Sequence, residues 1–240
     1  MAVSKNRIWE LDAFRGLFIL CVVFIHTIFD LQIFGFISED TPLIFNIIRD
    51  YGGILFILIS GICVTLGSHC FKRGMFVFLC GMAITLVTYT MYRIDPANKD
   101  LLIHFGILHL LGLCMMLYPL FRKLPVWAAG MLGILFLAMG FVVLPLRSDI
   151  PFSLVIGIIP KGYVAADYFP VFPNMGWFLL GSVLGRTVYK SRQSLMPRFP
   201  YAAPPVKFFS FCGRHSLWIY MLHQPVIYGI VLLIYTIVHK

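Results

Sequence analysis

Residues 8–31 read IWELDAFRGLFILCVVFIHTIFDL, an apolar stretch long enough to cross a bilayer as one helix. This stretch nevertheless contains four ionisable residues in addition to Glu10, namely Asp12, Arg15, His26 and Asp30. Ionisable groups are costly inside a membrane, so their presence within a span indicates a functional site.

The spacing of these residues places three of them on one face of the predicted helix. Arg15 and His26 are eleven positions apart. At about 100° per residue they differ by roughly 20° around the axis and lie about 16 Å apart along it. Asp30 follows His26 by four positions, the spacing at which side chains on neighbouring helical turns meet. The sequence therefore predicts a site that runs through the membrane, with a cation near one surface and a His–Asp pair near the other.

The composition is that of an integral membrane protein. Of the 240 residues, 60% are hydrophobic and only 12% are charged. The apolar residues form long single blocks, which favours an all-α polytopic bundle over a β-barrel with its alternating segments. The longest polar stretch is short, so the sequence predicts a single transmembrane domain over residues 1–240.

The apolar blocks predict seven transmembrane helices. They are expected at about 11–29, 47–69, 74–92, 101–121, 126–144, 168–189 and 208–238. Proline and glycine interrupt residues 145–167, which are predicted to form an external interfacial or re-entrant segment. Residues 190–207 are predicted to form a cytoplasmic, proline-rich linker.

The net charge of +9 is distributed as a membrane-topology signal. Basic residues stand at alternate ends of successive spans, and acidic residues stand at the opposite ends. By the positive-inside rule, this pattern predicts a cytoplasmic N-terminus. We interpret the basic excess as topology with some attraction to anionic membrane lipid, and we expect no nucleic-acid partner.

Further candidate residues lie in or beside other predicted spans. His223 belongs to the last span, His109 to the fourth, and Asp167 to the predicted outer rim. Arg214 and His215 stand at the predicted inner start of the last span, where they either extend to lipid headgroups or bind a phosphate at a helix N-terminus. Each buried histidine also fits the role of a hydrogen-bonded core residue.

Several chemistries lack a sequence signature. The sequence contains no nucleophile elbow, P-loop, GxGxxG, HExxH or CxxC motif. The six cysteines show no metal-ligand spacing, so neither disulfides nor a metal site is predicted. Histidine-based group transfer and proton-linked transport or lipid flipping remain. The absence of an internal repeat counts against a transporter.

Four ordered motifs carry a family resemblance. They are RIWELDAFRGLFIL at 7–20, HFGILHLLGL at 104–113, DYFPVFPNMGWFLLGSVLG at 167–185 and GRHSLWIYMLHQPV at 213–226. Together they resemble the heparan-alpha-glucosaminide N-acetyltransferase catalytic-domain family, within the wider transmembrane acyltransferases. Bacterial members of that family are inner-membrane proteins, so the resemblance implies a multi-pass protein of the cell inner (plasma) membrane.

The resemblance also implies substrates. It implies that acetyl-CoA is bound from the cytoplasm and that the acetyl group is delivered to an amino or hydroxyl group of an extracytoplasmic sugar or glycan. No metal is expected, and the resemblance makes a homodimer plausible. Nothing in these 240 residues is expected to correspond to the luminal domain of the lysosomal member, so the acceptor itself is left open.

Residue roles follow from combining the motifs with the spacing. His26 matches the catalytic histidine, with Asp30 as the neighbouring carboxylate, and Arg15 matches the arginine on the CoA side. Arg214 and His215 are expected to contact the same donor. The residues expected to contact the acceptor are His109, Asp167 and His223. His26 would act either as a general base or as a nucleophile that is acetylated first.

Overall fold

The computed structural model describes residues 8–38, 42–150, 152–199, 201 and 203–238. In these ranges the chain is all-α, as predicted, with one isolated β-bridge between Arg147 and Ile159. The helices are α1 (Trp9–Ile33), α2 (Leu43–Leu66), α3 (Cys70–Ile94), α4 (Ile107–Phe121), α5 (Val126–Val143), α6 (Ser153–Ile156), α7 (Val171–Thr187), α8 (Pro204–Arg214) and α9 (Ser216–Val238). A 3-10 turn covers Pro96–Leu101.

Within the part of the chain that the structure describes, five helices are long and apolar enough to cross a membrane: α1, α2, α3, α5 and α9. The other two predicted spans correspond to α4, with 15 residues, and α7, with 17 residues. The number of full-length spans is therefore lower than the seven predicted. The fourth span is shorter than predicted because its helix begins only after Gly106, which serves as the N-cap.

The predicted last span, 208–238, is two helices in the structure. Helix α8 begins at Pro204, inside the predicted linker, because proline at the first helical positions needs no N–H partner. The break falls at His215, where the backbone N–H and the side-chain Nδ1 both donate to the carbonyl oxygen of Phe211. These bonds cap α8, and α9 starts at the next residue.

The chain divides into two compact units. The first contains Met1–Phe56 and Arg192–Lys240, and the second contains Ile57–Ser191. In the first unit α1 packs against both α8 and α9; in the second, α3 packs against α4 and α5 against α7. A single transmembrane domain over 1–240 stays a prediction.

Two glycines allow α1 and α8 to approach closely. A Cβ atom on Gly16 would collide with the carbonyl oxygen of Phe209, and one on Gly213 would collide with the carbonyl oxygen of Asp12. Small residues permit this kind of backbone contact between helices in membranes. The backbone of α8 is thereby fixed against the turn of α1 that carries Arg15.

Helices α2 and α7 make a similar contact within the second unit. A Cβ on Gly61 would collide with the carbonyl oxygen of Phe178, and one on Gly181 with that of Leu58. The side chains of Phe178 and Leu179 beside this contact are fully buried. The second unit is therefore built around α7.

Candidate functional site

Three side-chain pairs join α1 to α9 in the first unit. They are Arg15–Ser216, His26–His223 and Asp30–Gln224. The pairs follow one another in the same order along both helices, so α1 and α9 run parallel. The polar face predicted along α1 therefore faces a second helix.

Arg15 is held at the start of α9. Its Nη2 donates to the Oγ of Ser216 at 2.8 Å, while its Nε is buried without a hydrogen-bond partner among the described residues. The first turn of a helix presents free N–H groups and a partial positive charge, so a guanidinium placed there favours an anion. Ser216 was not among the predicted residues, although it follows Arg214 and His215 in the recognised C-terminal motif.

The imidazoles of His26 and His223 lie side by side. Their ring centroids are 5.0 Å apart and their planes are inclined by 58°. The Nδ1 of His223 lies 2.6 Å from the carbonyl oxygen of Tyr220. Because a carbonyl oxygen only accepts, Nδ1 carries the proton, and in the neutral ring the lone pair is on Nε2. That Nε2 atom is buried and has no partner among the described residues.

Asp30 is bound by a residue that sequence reasoning missed. Both of its carboxylate oxygens accept from the Nε2 of Gln224, at 3.0 and 3.1 Å, and the side chain is only 1% exposed. Gln224 is thus the partner where the sequence suggested His26. This contact favours a role for Asp30 in joining α1 to α9, and its catalytic role stays a prediction.

Arg214 and His215 are exposed at the junction of α8 and α9. The contact between the Nδ1 of His215 and Phe211 accounts for the position of that ring. Contact of either residue with a donor substrate stays a prediction.

His109 lies in the second unit with both ring nitrogens engaged. Its Nδ1 accepts from the backbone N–H of Gly106 at 3.2 Å, so the proton is on Nε2. Nε2 lies 3.3 Å from the Oγ1 of Thr85, whose hydroxyl donates to the carbonyl oxygen of Ile103. With an exposure of 2%, this ring ties the start of α4 to α3. Its contact with an acceptor stays a prediction.

Asp167 caps the N-terminus of α4. Its Oδ2 accepts from the backbone N–H of Ile107 at 3.1 Å, and a Cβ on Gly106 would collide with the same oxygen. Nearby, the hydroxyl of Tyr163 lies 3.2 Å from the Nδ1 of His104. Burial, and secondly the charge of Asp167, raise the pKa of Tyr163 to about 12. Asp167 therefore combines a helix cap with a polar cluster in the second unit.

One more buried carboxylate belongs to the first unit. The Oε1 of Glu10 accepts from the backbone N–H of Leu195 at 2.7 Å, and the side chain is 3% exposed. Beside it, Trp9 stacks on Phe199 with ring centroids 5.1 Å apart. These contacts tie the segment before α8 to the first turn of α1.

Comparison with known proteins identifies a family. Residues 7–225 match the family model described as "Heparan-alpha-glucosaminide N-acetyltransferase, catalytic". No curated protein and no solved structure matches the sequence. The matched range contains every residue of the three pairs between α1 and α9. Within the described ranges, no group of three or more His, Cys, Asp or Glu side chains is arranged to hold a metal ion.

Proposed function

Because the chain belongs to the heparan-alpha-glucosaminide N-acetyltransferase catalytic family, we propose that it transfers acetyl from cytoplasmic acetyl-CoA to an extracytoplasmic acceptor. The acceptor group is an amine or a hydroxyl of a sugar or glycan. The family is one of transmembrane acetyltransferases, and five span-length apolar helices make this chain a membrane protein. The observation that carries the proposal is the series of polar pairs between α1 and α9.

The two ends of that series suit the two ends of the donor substrate. Arg15, held by Ser216, supplies positive charge for the phosphates of acetyl-CoA. His26 lies about 16 Å further along α1, a distance that the extended pantetheine arm can cover. Arg214 and His215, exposed at the same end as Ser216, are proposed to contact the nucleotide part.

The chemistry is proposed to take place at His26. In one route its imidazole removes the proton of the acceptor as the acceptor attacks the thioester. In the other route the imidazole is acetylated first and then passes the acetyl group on. Asp30 and Gln224 support both routes by holding α9 against α1 beside the histidines.

The remaining predictions complete the proposal. The N-terminus is cytoplasmic, the membrane is the cell inner membrane, and lipid surrounds the spans. His109 and Asp167 are proposed acceptor-binding residues. A homodimer is the proposed assembly, and no metal is required.

The test is acetyl transfer across a membrane. The protein is reconstituted into liposomes that contain labelled acetyl-CoA or a longer acyl-CoA, and a panel of amino and hydroxyl sugars is added outside. We expect labelled product with acetyl-CoA, and we expect His26→Ala to lose it. The matched control is His69→Asn, because His69 is exposed and has a positive φ that asparagine tolerates.

Two outcomes contradict the proposal. Unchanged turnover in His26→Ala would show that His26 is not the catalytic residue. Solute flux without acetyl-CoA, together with no labelled product, would favour the rival prediction of a proton-coupled transporter or flippase.

A further inference from the structure

The buried polar atoms without a partner are unevenly distributed. Among the described residues there are four such side-chain atoms: Glu10 Oε2, Arg15 Nε, His223 Nε2 and Gln224 Oε1. All four belong to α1 or α9, and three of them belong to the pairs that join these helices. A buried polar atom without a partner costs about 1–3 kcal/mol, so most are satisfied in native proteins. Their concentration here points to a polar ligand that supplies the missing bonds.

For the three atoms that belong to the pairs between α1 and α9, the type of atom specifies what the ligand must offer. Arg15 Nε is a donor, so it requires an acceptor such as a phosphate oxygen. His223 Nε2 and Gln224 Oε1 are both acceptors, so they require a group that brings hydrogen. An attacking amine or hydroxyl is such a group, whereas a thioester has no N–H or O–H. The histidine end of the series therefore fits the acceptor substrate.

The tautomer of His223 makes its Nε2 a proton acceptor. The carbonyl of Tyr220 fixes the proton on Nδ1, as a carbonyl or carboxylate fixes the ring of a catalytic base. The carbonyl contact also stabilises the imidazolium that forms when the ring takes its second proton, at Nε2. The adjacent ring of His26, with no such orienting bond among the described residues, lacks this arrangement.

We propose that His223 is a second catalytic residue, whose Nε2 takes the proton of the attacking acceptor once His26 has been acetylated. This inference rests on the proposed acetyl transfer and on its two-step route, in which His26 is the nucleophile and not the base. The acceptor nitrogen or oxygen forms a bond to the acetyl carbonyl carbon and loses one proton to His223 Nε2. The bond that breaks joins the acetyl carbon to a nitrogen of His26. His223 then returns the proton to that nitrogen, so both imidazoles end in their neutral form.

The decisive variant is His223→Asn. An asparagine amide keeps an N–H near the position of Nδ1, so the bond to Tyr220 can persist, but it removes the basic Nε2. We expect a loss in kcat of about 10²–10⁴, the usual contribution of a general base. His69→Asn, at an exposed histidine, is the control for the substitution itself.

One readout separates catalysis from a structural role, and a second checks the tautomer on which the inference depends. The pH–rate profile of the wild type is expected to show a limb that reports deprotonation of His223, and this limb is expected to disappear in His223→Asn. A purely structural role of His223 would leave the limb in place. Independently of activity, the ¹⁵N histidine signal that is lost in His223→Asn is expected to be that of an Nδ1–H ring, while the Nδ1–H signal of His215 stays.

The failures are distinguishable. If labelled transfer depends on His26 while His223→Asn keeps its rate within about threefold and keeps the pH limb, this inference is overturned and the proposed function stands. An Nε2–H tautomer at His223 would overturn it as well. If the wild type transfers no acetyl to any acceptor, the proposed function fails and this inference fails with it.

Discussion

Gln224 donates from Nε2 to both carboxylate oxygens of Asp30, at 3.0 and 3.1 Å, and so joins α9 to α1. Asp30 is buried, and among the described side chains Gln224 is its one hydrogen-bond donor. The two residues are 194 positions apart in sequence, yet Gln224 is the direct neighbour of His223. The bond therefore helps to place the ring of His223 beside that of His26.

The Asp30–Gln224 pair predicts non-additive effects on stability. Gln224→Leu leaves a buried carboxylate without its donor, and we expect the free energy of unfolding to fall by about 1–3 kcal/mol or more. Asp30→Leu leaves the amide unpaired and is expected to destabilise by a similar amount. The double Leu variant is expected to lose less than the sum, because no polar partner stays buried alone. Unfolding followed by tryptophan fluorescence in detergent measures all three, and strict additivity would contradict the contact.

Sequence periodicity could predict which face of α1 carries the site. The eleven-residue separation of Arg15 and His26 and the four-residue separation of His26 and Asp30 depend only on helix geometry. In the structure, all three side chains contact α9. Their partners could not be derived in this way, because the hydrogen bond between Arg15 and Ser216 joins residues 201 positions apart.

Helix ends were harder to predict than helix interiors. For α5 the predicted span, 126–144, agrees with Val126–Val143 to one residue, because its apolar block is bounded by Pro125. The hydropathy pattern did not predict the break at His215. There a hydrogen bond from the side chain to a backbone carbonyl ends α8 inside an apolar block. The same pattern placed the start of α4 too early, because residues 101–106 are mostly apolar while the helix begins only after Gly106.

The contact between α1 and α8 predicts a strong effect of one methyl group. Gly213→Ala places a Cβ against the carbonyl oxygen of Asp12, and backbone atoms cannot move aside as a flexible side chain can. We expect the free energy of unfolding to fall by about 1–3 kcal/mol or more, with a matching loss of Tm. Gly229→Ala in α9 is the control, because apart from its chain neighbours and its own helix backbone nothing lies within 4 Å of the added Cβ. Equal Tm values for the two variants would contradict the close approach of α1 and α8.

The packing around His109 predicts a similar effect in the second unit. A Cβ on Gly81 would lie 2.9 Å from the Nδ1 of His109, so Gly81→Ala must displace a ring whose two nitrogens are both hydrogen-bonded. We expect a loss of about 1–3 kcal/mol in the free energy of unfolding. Gly130→Ala in α5 meets Val183 only at 3.8 Å, and it is expected to be neutral or to stabilise by up to about 1 kcal/mol. Thermal unfolding of both variants at neutral pH is the measurement, and a tolerated Gly81→Ala would show that the ring of His109 is free to move.

The Tyr163–Asp167 cluster predicts a loss of stability at alkaline pH. Burial first, and the charge of Asp167 second, raise the pKa of Tyr163 to about 12 in the folded chain, from about 10 when unfolded. Between these values the unfolded chain releases a proton that the folded chain keeps, so stability falls as the pH rises through this window. We expect the Tm of Tyr163→Phe to fall less than that of the wild type between about pH 10 and pH 12. The control is Tyr201→Phe, because Tyr201 is exposed.

The pKa of Tyr163 can also be measured directly from phenolate absorbance, as the difference between variants with and without Tyr163. This titration should show that Asp167→Asn lowers the pKa of Tyr163. An unchanged titration would mean that the carboxylate does not act on the phenol.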